Sequence, residues 1–128
     1  TDIEQTQNDL FADRQLRLMI ENGNRQVVGI VDLCSFDPLH NRAEVGIMVD
    51  KSCRRQGIGR NALALLEEHC FRYLGIHQLF VYIAVENLPS RRLFAACGYK
   101  ESAVLKEWAH TFGGGYTDVL VVQKLNLS

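Results

Sequence analysis

Ala43-Glu44-Val45-Gly46-Ile47-Met48-Val49-Asp50, followed directly by Lys51-Ser52-Cys53-Arg54-Arg55-Gln56-Gly57-Ile58-Gly59-Arg60, is the stretch from which the fold can be read. Its first half is an apolar run of strand length and its second half a basic, glycine-bearing loop. Helical spacing begins straight after the loop. Ala62, Leu63, Leu66, Cys70 and Leu74 recur at three- and four-residue steps, and Gly75 stands where a helix would stop. Strand, loop and helix in this order predict half of a βαβ unit.

The junction is built to hold an anion. Gly57 and Gly59 let backbone amides approach a ligand closely, and the first amides of a helix are free donors at its positive dipole end. Arg54, Arg55 and Arg60 add charge around the same point. The plain alternative is an exposed turn and a solvated helix start, the better reading for a lone GxG. Three arginines bracketing the junction favour the anion. A Walker A loop is excluded because no GK[ST] follows. Gly57-Ile58-Gly59-Arg60-Asn61-Ala62 fits GxGxxA, with Glu86 ending the next strand. A Rossmann glycine should follow its strand at once, however, and here Lys51–Gln56 intervene. A single βαβ unit is also too little for a dinucleotide domain, which leaves a diphosphate ligand other than NAD.

Working outward, Gln15–Glu21 and Gln26–Ser35 are β-rich and joined across Asn22-Gly23-Asn24, a hairpin signal. Phe36–Asn41 contains Asp37-Pro38 and reads as a loop. Gln78–Val85 has bulky residues on both faces, as a buried central strand does. Asn87 caps a short helix with Pro89 in its first turn, ending at Gly98. Tyr99–Trp108 and Tyr116–Lys124 form a second hairpin across Gly113-Gly114-Gly115. Thr1–Asp13 is polar with sparse apolar residues, which fits a helical end or a tail. The expected fold is a mixed α/β sheet in one domain.

Composition narrows the function. A chain of 128 residues suits one domain, and 47% apolar with 23% charged residues is ordinary for a globular protein. Net charge of −1 argues against a nucleic-acid partner. No apolar stretch is long enough to cross a bilayer, and no signal peptide opens the sequence, although it begins with Thr1 rather than Met. Cys34, Cys53, Cys70 and Cys97 form no CxxC pair, and the four histidines are equally scattered, so no metal is expected. Reduced thiols in a cytoplasmic protein are the expectation.

Two motifs together resemble a known family. Arg54-x-x-Gly57-x-Gly59 resembles the pyrophosphate-binding R/Q-x-x-G-x-G/A motif of the GNAT acetyltransferases. Glu86-Asn87-x-x-Ser90-x-x-Leu93-Phe94-x-x-x-Gly98-Tyr99 is similar to that family's E-N-x-x-S/A-x-x-L-Y-x-x-x-G-F segment. Ala43-Glu44-x-Gly46 and Gly115-Tyr116-x-Asp118-Val119 resemble two branches, the spermidine and the ribosomal-protein N-terminal acetyltransferases. The resemblance implies a GNAT-like acyl-CoA N-acyltransferase fold over residues 1–128, lacking the family's first strand and helix, with Thr1–Asp13 a helix remnant or tail. It implies that strand Ala43–Asp50 splays from Gln78–Val85 and that acetyl-CoA, the acyl donor, lies in the opening. Backbone groups of Ile47, Met48 and Val49 would bond the pantetheine arm. Arg54, Arg55, Gln56, Gly57, Ile58, Gly59 and Arg60 would hold the pyrophosphate, and Asn87 with Ser90 would contact the arm from the other side. Arg91 or Arg92 would lie near the nucleotide end, or on an exposed helix face.

The implied chemistry is acetyl transfer to a primary amine. Glu44 is the candidate base or ammonium anchor; the alternative is a strand carboxylate paired with Arg42. The family's acid for the departing thiolate is the Tyr of its L-Y pair, which is Phe94 here and cannot donate. Ser90, Tyr82 and Cys97 are the candidates to replace it. Polyamines such as spermidine or spermine are the expected acceptors, with Asp32, Asp37 and Glu44 available to attract a polycation. A protein N-terminal α-amine is the alternative acceptor, and a non-catalytic CoA-binding protein the alternative of another class. Trp108 is expected to pack and His110 to face solvent. A homo-oligomer is an open option, and a membrane partner is not expected.

Overall fold

A computed structural model describes residues 2–5, 10–54 and 57–127, the side chains of 2–5, 11 and 12 excepted. It contains seven strands, β1 (Asp2–Gln5), β2 (Leu16–Glu21), β3 (Val27–Asp37), β4 (Arg42–Val49), β5 (Gln78–Ala84), β6 (Lys100–His110) and β7 (Tyr116–Leu125). They form one sheet in the order β1-β2-β3-β4-β5-β7-β6. Every pairing is antiparallel except β4 with β5. That parallel pair needs a crossover, supplied by helix α2 (Ile58–Glu68). Helices α1 (Leu10–Asp13) and α3 (Leu88–Ala96) complete the fold.

Strand alternation puts one face of the sheet against the helices. Leu16, Leu18 and Ile20 of β2, Val31 and Leu33 of β3, Ala43 and Val45 of β4, and Leu79, Val81 and Ile83 of β5 are all buried. They form one core with Ile58, Ala62, Leu63 and Leu66 of α2 and Phe94 of α3. The residues between them, Arg17, Asp32, Cys34, Glu44, Gly46, Phe80 and Tyr82, fall on the opposite face and are half-buried or exposed. This second face carries the polar chemistry.

Three elements depart from the sequence expectation. First, β3 runs two residues past Ser35, so Phe36 and Asp37 belong to a strand rather than a loop. Phe36 is buried, and Asp37 pairs in register with Arg42. The turn proper is tightened by the Asp37 carboxylate, which accepts from the Leu39 and His40 amides at 3.0 Å each. Second, Thr1–Asp13 contains a strand, Asp2–Gln5, paired with β2, and one helical turn at Leu10–Asp13 whose Leu10 joins the core. An edge strand needs only backbone partners, so its polar sequence gave no sign of it. Third, α2 is extended by a π turn, His69–Tyr73, that carries Cys70 into the core.

Candidate active site

The site begins where two strands part. β4 and β5 pair only at Arg42–Gln78, Ala43–Leu79 and Glu44–Phe80, although β4 continues to Val49 and β5 to Ala84. Beyond that point β4 stays bonded to β3 and β5 to β7. A wedge therefore opens between Val45–Val49 and Val81–Ala84. Each wall is a strand edge without its neighbour, and such an edge accepts an extended chain carrying amides, as an added strand would. Ile47 is half-buried and Met48 is 69% exposed, so the β4 wall is accessible from the open face.

The mouth of the wedge is the basic loop. A short 3-10 turn, Lys51–Cys53, leads to Arg54, whose Nε donates to the Val49 carbonyl oxygen at 3.0 Å and so stays at the end of β4. Gly57 is the N-cap of α2 at φ 76°, a left-handed conformation that favours glycine, and offers no side-chain cap. The amides of Ile58, Gly59 and Arg60 thus keep their bonding capacity for a ligand. Gly59 is not strained, but a Cβ there would meet Leu93 of α3 at 3.4 Å and Ile47 of β4 at 3.8 Å. The helix start is therefore seated against both walls. Arg60 is exposed, and Arg55 and Gln56 lie outside the described residues.

On the other wall, Asn87 caps α3 through Oδ1, which accepts from the Ser90 amide at 3.3 Å. The Asn87 amide donates to the Ala84 carbonyl, which fixes the cap at the end of β5. Ser90 is half-buried on the side of α3 that carries Leu93 and Phe94. Arg91 is committed elsewhere, bidentate to Glu101 of β6 at 3.0 and 3.2 Å and bonded to the Val85 carbonyl. Arg92 is exposed.

Phe94 is 2% exposed and packs edge-on against Tyr99 at 4.9 Å, a core role. Of the three candidate donors, Cys97 is half-buried and burial pushes its thiol up. Ser90 lies about two turns earlier, in the first turn of α3. Tyr82 is 43% exposed, stacked edge-on against Phe80 at 5.7 Å, one step past the last β4–β5 pair and on the face of Glu44.

Glu44 stands at the apex. It does not pair with Arg42, whose partner is Asp37 at 3.6 Å. Its carboxylate instead accepts from the Ser35 hydroxyl at 3.4 Å, and Cys34 stands opposite it in register. The other two acids are occupied. Asp32 binds Arg17 bidentately at 2.9 and 3.1 Å, and Asp37 serves its turn and Arg42. The Arg17–Asp32 pair divides two shallow hollows, one of about 320 Å³ reaching Cys34, the other of about 270 Å³ reaching Gly46, Ile47 and Met48.

In the closing hairpin Asp118 stitches a β6 bulge, accepting from the Glu107 amide at 2.9 Å and the Lys106 ammonium at 3.1 Å. Both bonds hold its carboxyl below the usual range. Trp108 is 62% exposed and does not pack, contrary to expectation, because β6 is an edge strand with no helix over it. His110 is exposed and lies edge-on to Tyr116 at 4.6 Å. The sequence did not show Ser35 or the Arg91–Glu101 tie. One signal for Ser35 was present: Leu33 and Phe36 are apolar at a spacing of three, which breaks strand alternation.

A strand wedge, a basic glycine loop at a helix start and a capped second helix thus meet at one place in the fold. Residues 1–99 match the model of the Acetyltransferase (GNAT) family, and the chain belongs to that family. It is 26% identical over 119 residues to the spermidine N(1)-acetyltransferase of Vibrio cholerae serotype O1, covering 92% of this chain and 68% of that protein. It is 27% identical over 94 residues to the ribosomal-protein-serine acetyltransferase of Escherichia coli strain K12, covering 73% of this chain and 52% of that protein. A dodecameric structure of the Vibrio cholerae spermidine N-acetyltransferase superposes with a TM-score of 0.83 at 25% identity, over 91% of this chain and 68% of that one.

Proposed function

We propose that this chain binds acetyl-CoA in the β4–β5 wedge and transfers its acetyl group to a primary amine, a polyamine such as spermidine or spermine in the first instance. The observation that carries the reading is the parting of β4 and β5 immediately after Glu44–Phe80, which puts a carboxylate at the apex of a slot shaped for an extended thioester arm. Backbone groups of Ile47, Met48 and Val49 bond the pantetheine amides. Gly57 and the amides of Ile58, Gly59 and Arg60 take the pyrophosphate, with Arg54, Arg55 and Gln56 beside them and Asn87 and Ser90 across the slot.

The acceptor arrives as an ammonium, its pKa near roughly 10.4, and must lose a proton before it can attack. Glu44 receives that proton, directly or through water, because no cation pairs with its carboxylate among the described residues. Attack on the thioester carbon makes a tetrahedral oxyanion, which amides of the open β4 edge stabilise. The nitrogen sheds its second proton to water as collapse expels the CoA thiolate. A thiol of pKa about 8.5 leaves without much help, and Tyr82, on the same face as Glu44, is placed to supply the proton. Phe94 takes no part.

The polyamine assignment draws its support from the likeness to spermidine acetyltransferases. One geometric observation favours a second reading, an N-terminal α-amine. Asp32 and Asp37 are committed to arginines, so of the three candidate acids Glu44 alone is without an arginine partner among the described residues. Cytoplasmic location and assembly into a homo-oligomer belong to the same proposal; the Vibrio cholerae relative has a dodecameric structure. No helix among the described residues is long and apolar enough to cross a membrane. The test is thiol release from acetyl-CoA with spermidine and with a short peptide as acceptors. Release with spermidine alone supports the first reading and release with the peptide alone the second. Tight acetyl-CoA binding without release on any amine would leave a non-catalytic CoA-binding protein.

A further inference from the structure

We propose that the Cys34–Ser35 bulge of β3 is a positioning device for the Glu44 carboxylate, and that the backbone conformation of Ser35 is held for catalysis rather than for the fold. The inference rests on the reading of Glu44 as the base. β3 and β4 pair residue for residue from Gly29–Val49 to Cys34–Glu44, and the next pair is Asp37–Arg42. Three steps on β3 therefore oppose two on β4, which is one extra residue, a bulge. Ser35 sits in it at φ 51°, a left-handed conformation that side-chain-bearing residues adopt reluctantly.

The bulge changes which groups meet Glu44. In regular alternation Cys34 would face Glu44, Ser35 would turn to the helix side with Leu33, and Phe36 would turn to the open face. With the extra residue, Leu33 and Phe36 are both buried while two consecutive polar groups present themselves to one carboxylate. The Ser35 hydroxyl donates to Glu44 Oε1 at 3.4 Å, and Cys34, half-buried, stands opposite Glu44 in register. Burial and the charge of Glu44 hold that thiol protonated, so it faces the carboxylate as a neutral group and not as a nucleophile. The fold does not call for this serine. Glycine would take φ 51° without strain. At the β6 bulge, by contrast, Glu107 at φ 49° is stitched to Asp118 through its own backbone amide. Strain retained beside a reactive group, where a less strained residue exists, points to function.

A carboxylate on an exposed strand has rotamer freedom, and a base must stay within hydrogen-bond reach of the proton it takes. One hydroxyl donor and a neutral thiol opposite, both from the neighbouring strand, restrict the Glu44 side chain to the apex without neutralising it as an arginine would.

The test is Ser35→Gly, which removes the hydroxyl and relieves the backbone at once. The expected result is a melting temperature that does not fall, an acetyl-CoA KM within about twofold of wild type, and a kcat lower by about tenfold, part of the roughly 10²–10⁴-fold that a positioned base contributes. Cys34→Ala added to Ser35→Gly lowers kcat further, and Ser35→Gly placed in Glu44→Gln changes kcat little more, because both act through one group. Wild-type kcat in Ser35→Gly, with Glu44→Gln impaired, overturns the positioning role and leaves the proposed chemistry standing. Wild-type kcat in Glu44→Gln removes the base itself, a separate failure. A fall in melting temperature with kcat intact assigns Ser35 to the fold.

Discussion

Glu44 and Tyr82 occupy the same face on either side of the wedge apex, but their expected phenotypes differ. Glu44→Gln keeps the shape and removes the base, so kcat should fall by at least about 10²-fold while acetyl-CoA affinity changes little. Steady-state kinetics beside calorimetric titration separates the two. Tyr82→Phe should lower kcat about tenfold, and the deficit should shrink with acetyl donors whose thiol is more acidic, since a better leaving group needs less protonation. An equal deficit across donors would return Tyr82 to a packing role. At this scale the sequence was informative only where side-chain type restricts chemistry. It singled out Glu44 as a carboxylate on the right strand and Phe94 as a residue that cannot donate. It offered Arg42 as the alternative partner of Glu44 and did not reach Ser35, because that contact depends on a bulge set by backbone register.

At the element scale the wedge is framed by two helix starts that carry explicit local signals. Gly57 begins α2 in a left-handed cap, and Asn87 begins α3 with an Asx bond to Ser90 and Pro89 in the first turn. Both starts were legible because capping chemistry is local. Asn87→Ala should cost about 1 kcal/mol of stability, read from urea denaturation, and should raise the KM for acetyl-CoA because the cap also faces the slot. The splay between β4 and β5 was an expectation from family resemblance, since no local pattern says where two parallel strands stop pairing. The strand Asp2–Gln5 and the π turn His69–Tyr73 were illegible for related reasons. The first is held by backbone bonds to β2, and the second by packing of Cys70 into the core.

Across the whole molecule, α2, α3 and β7 are tied by one buried polar group. Glu67 is 7% exposed within the apolar face of α2, and its Oε1 accepts from the Lys124 ammonium of β7. Lys124 also donates to the Cys97 carbonyl at 2.6 Å, at the end of α3, and lies 5.9 Å from the Tyr99 ring centre. Burial outweighs the pull of Lys124 and holds the Glu67 carboxyl above its usual range; it also pushes the Cys70 thiol up to about 12. A carboxyl raised on folding contributes stability at low pH that is lost as pH climbs through its ordinary value and then its raised one. Lys124→Met removes the opposing charge and raises Glu67 further. Its deficit against wild type should therefore be small near pH 5 and grow to about 3 kcal/mol by pH 8, measured by urea denaturation at each pH. A deficit independent of pH would mean that Lys124 acts through packing alone.

The central claim is that the wedge and the α2 start hold acetyl-CoA, and Gly59 offers the cleanest test. Its backbone is relaxed, acidic residues are favoured in a first helical turn, and a side chain there would meet Leu93 of α3 and Ile47 of β4, the strand that walls the wedge. Acetyl-CoA should be titrated calorimetrically into the wild type, Gly59→Glu and Gly57→Glu, with melting temperatures recorded for each. Saturable binding to the wild type, lost by at least about tenfold in folded Gly59→Glu and in Gly57→Glu, is the predicted result. Undiminished binding to Gly59→Glu, or no binding to a folded wild type, would contradict it.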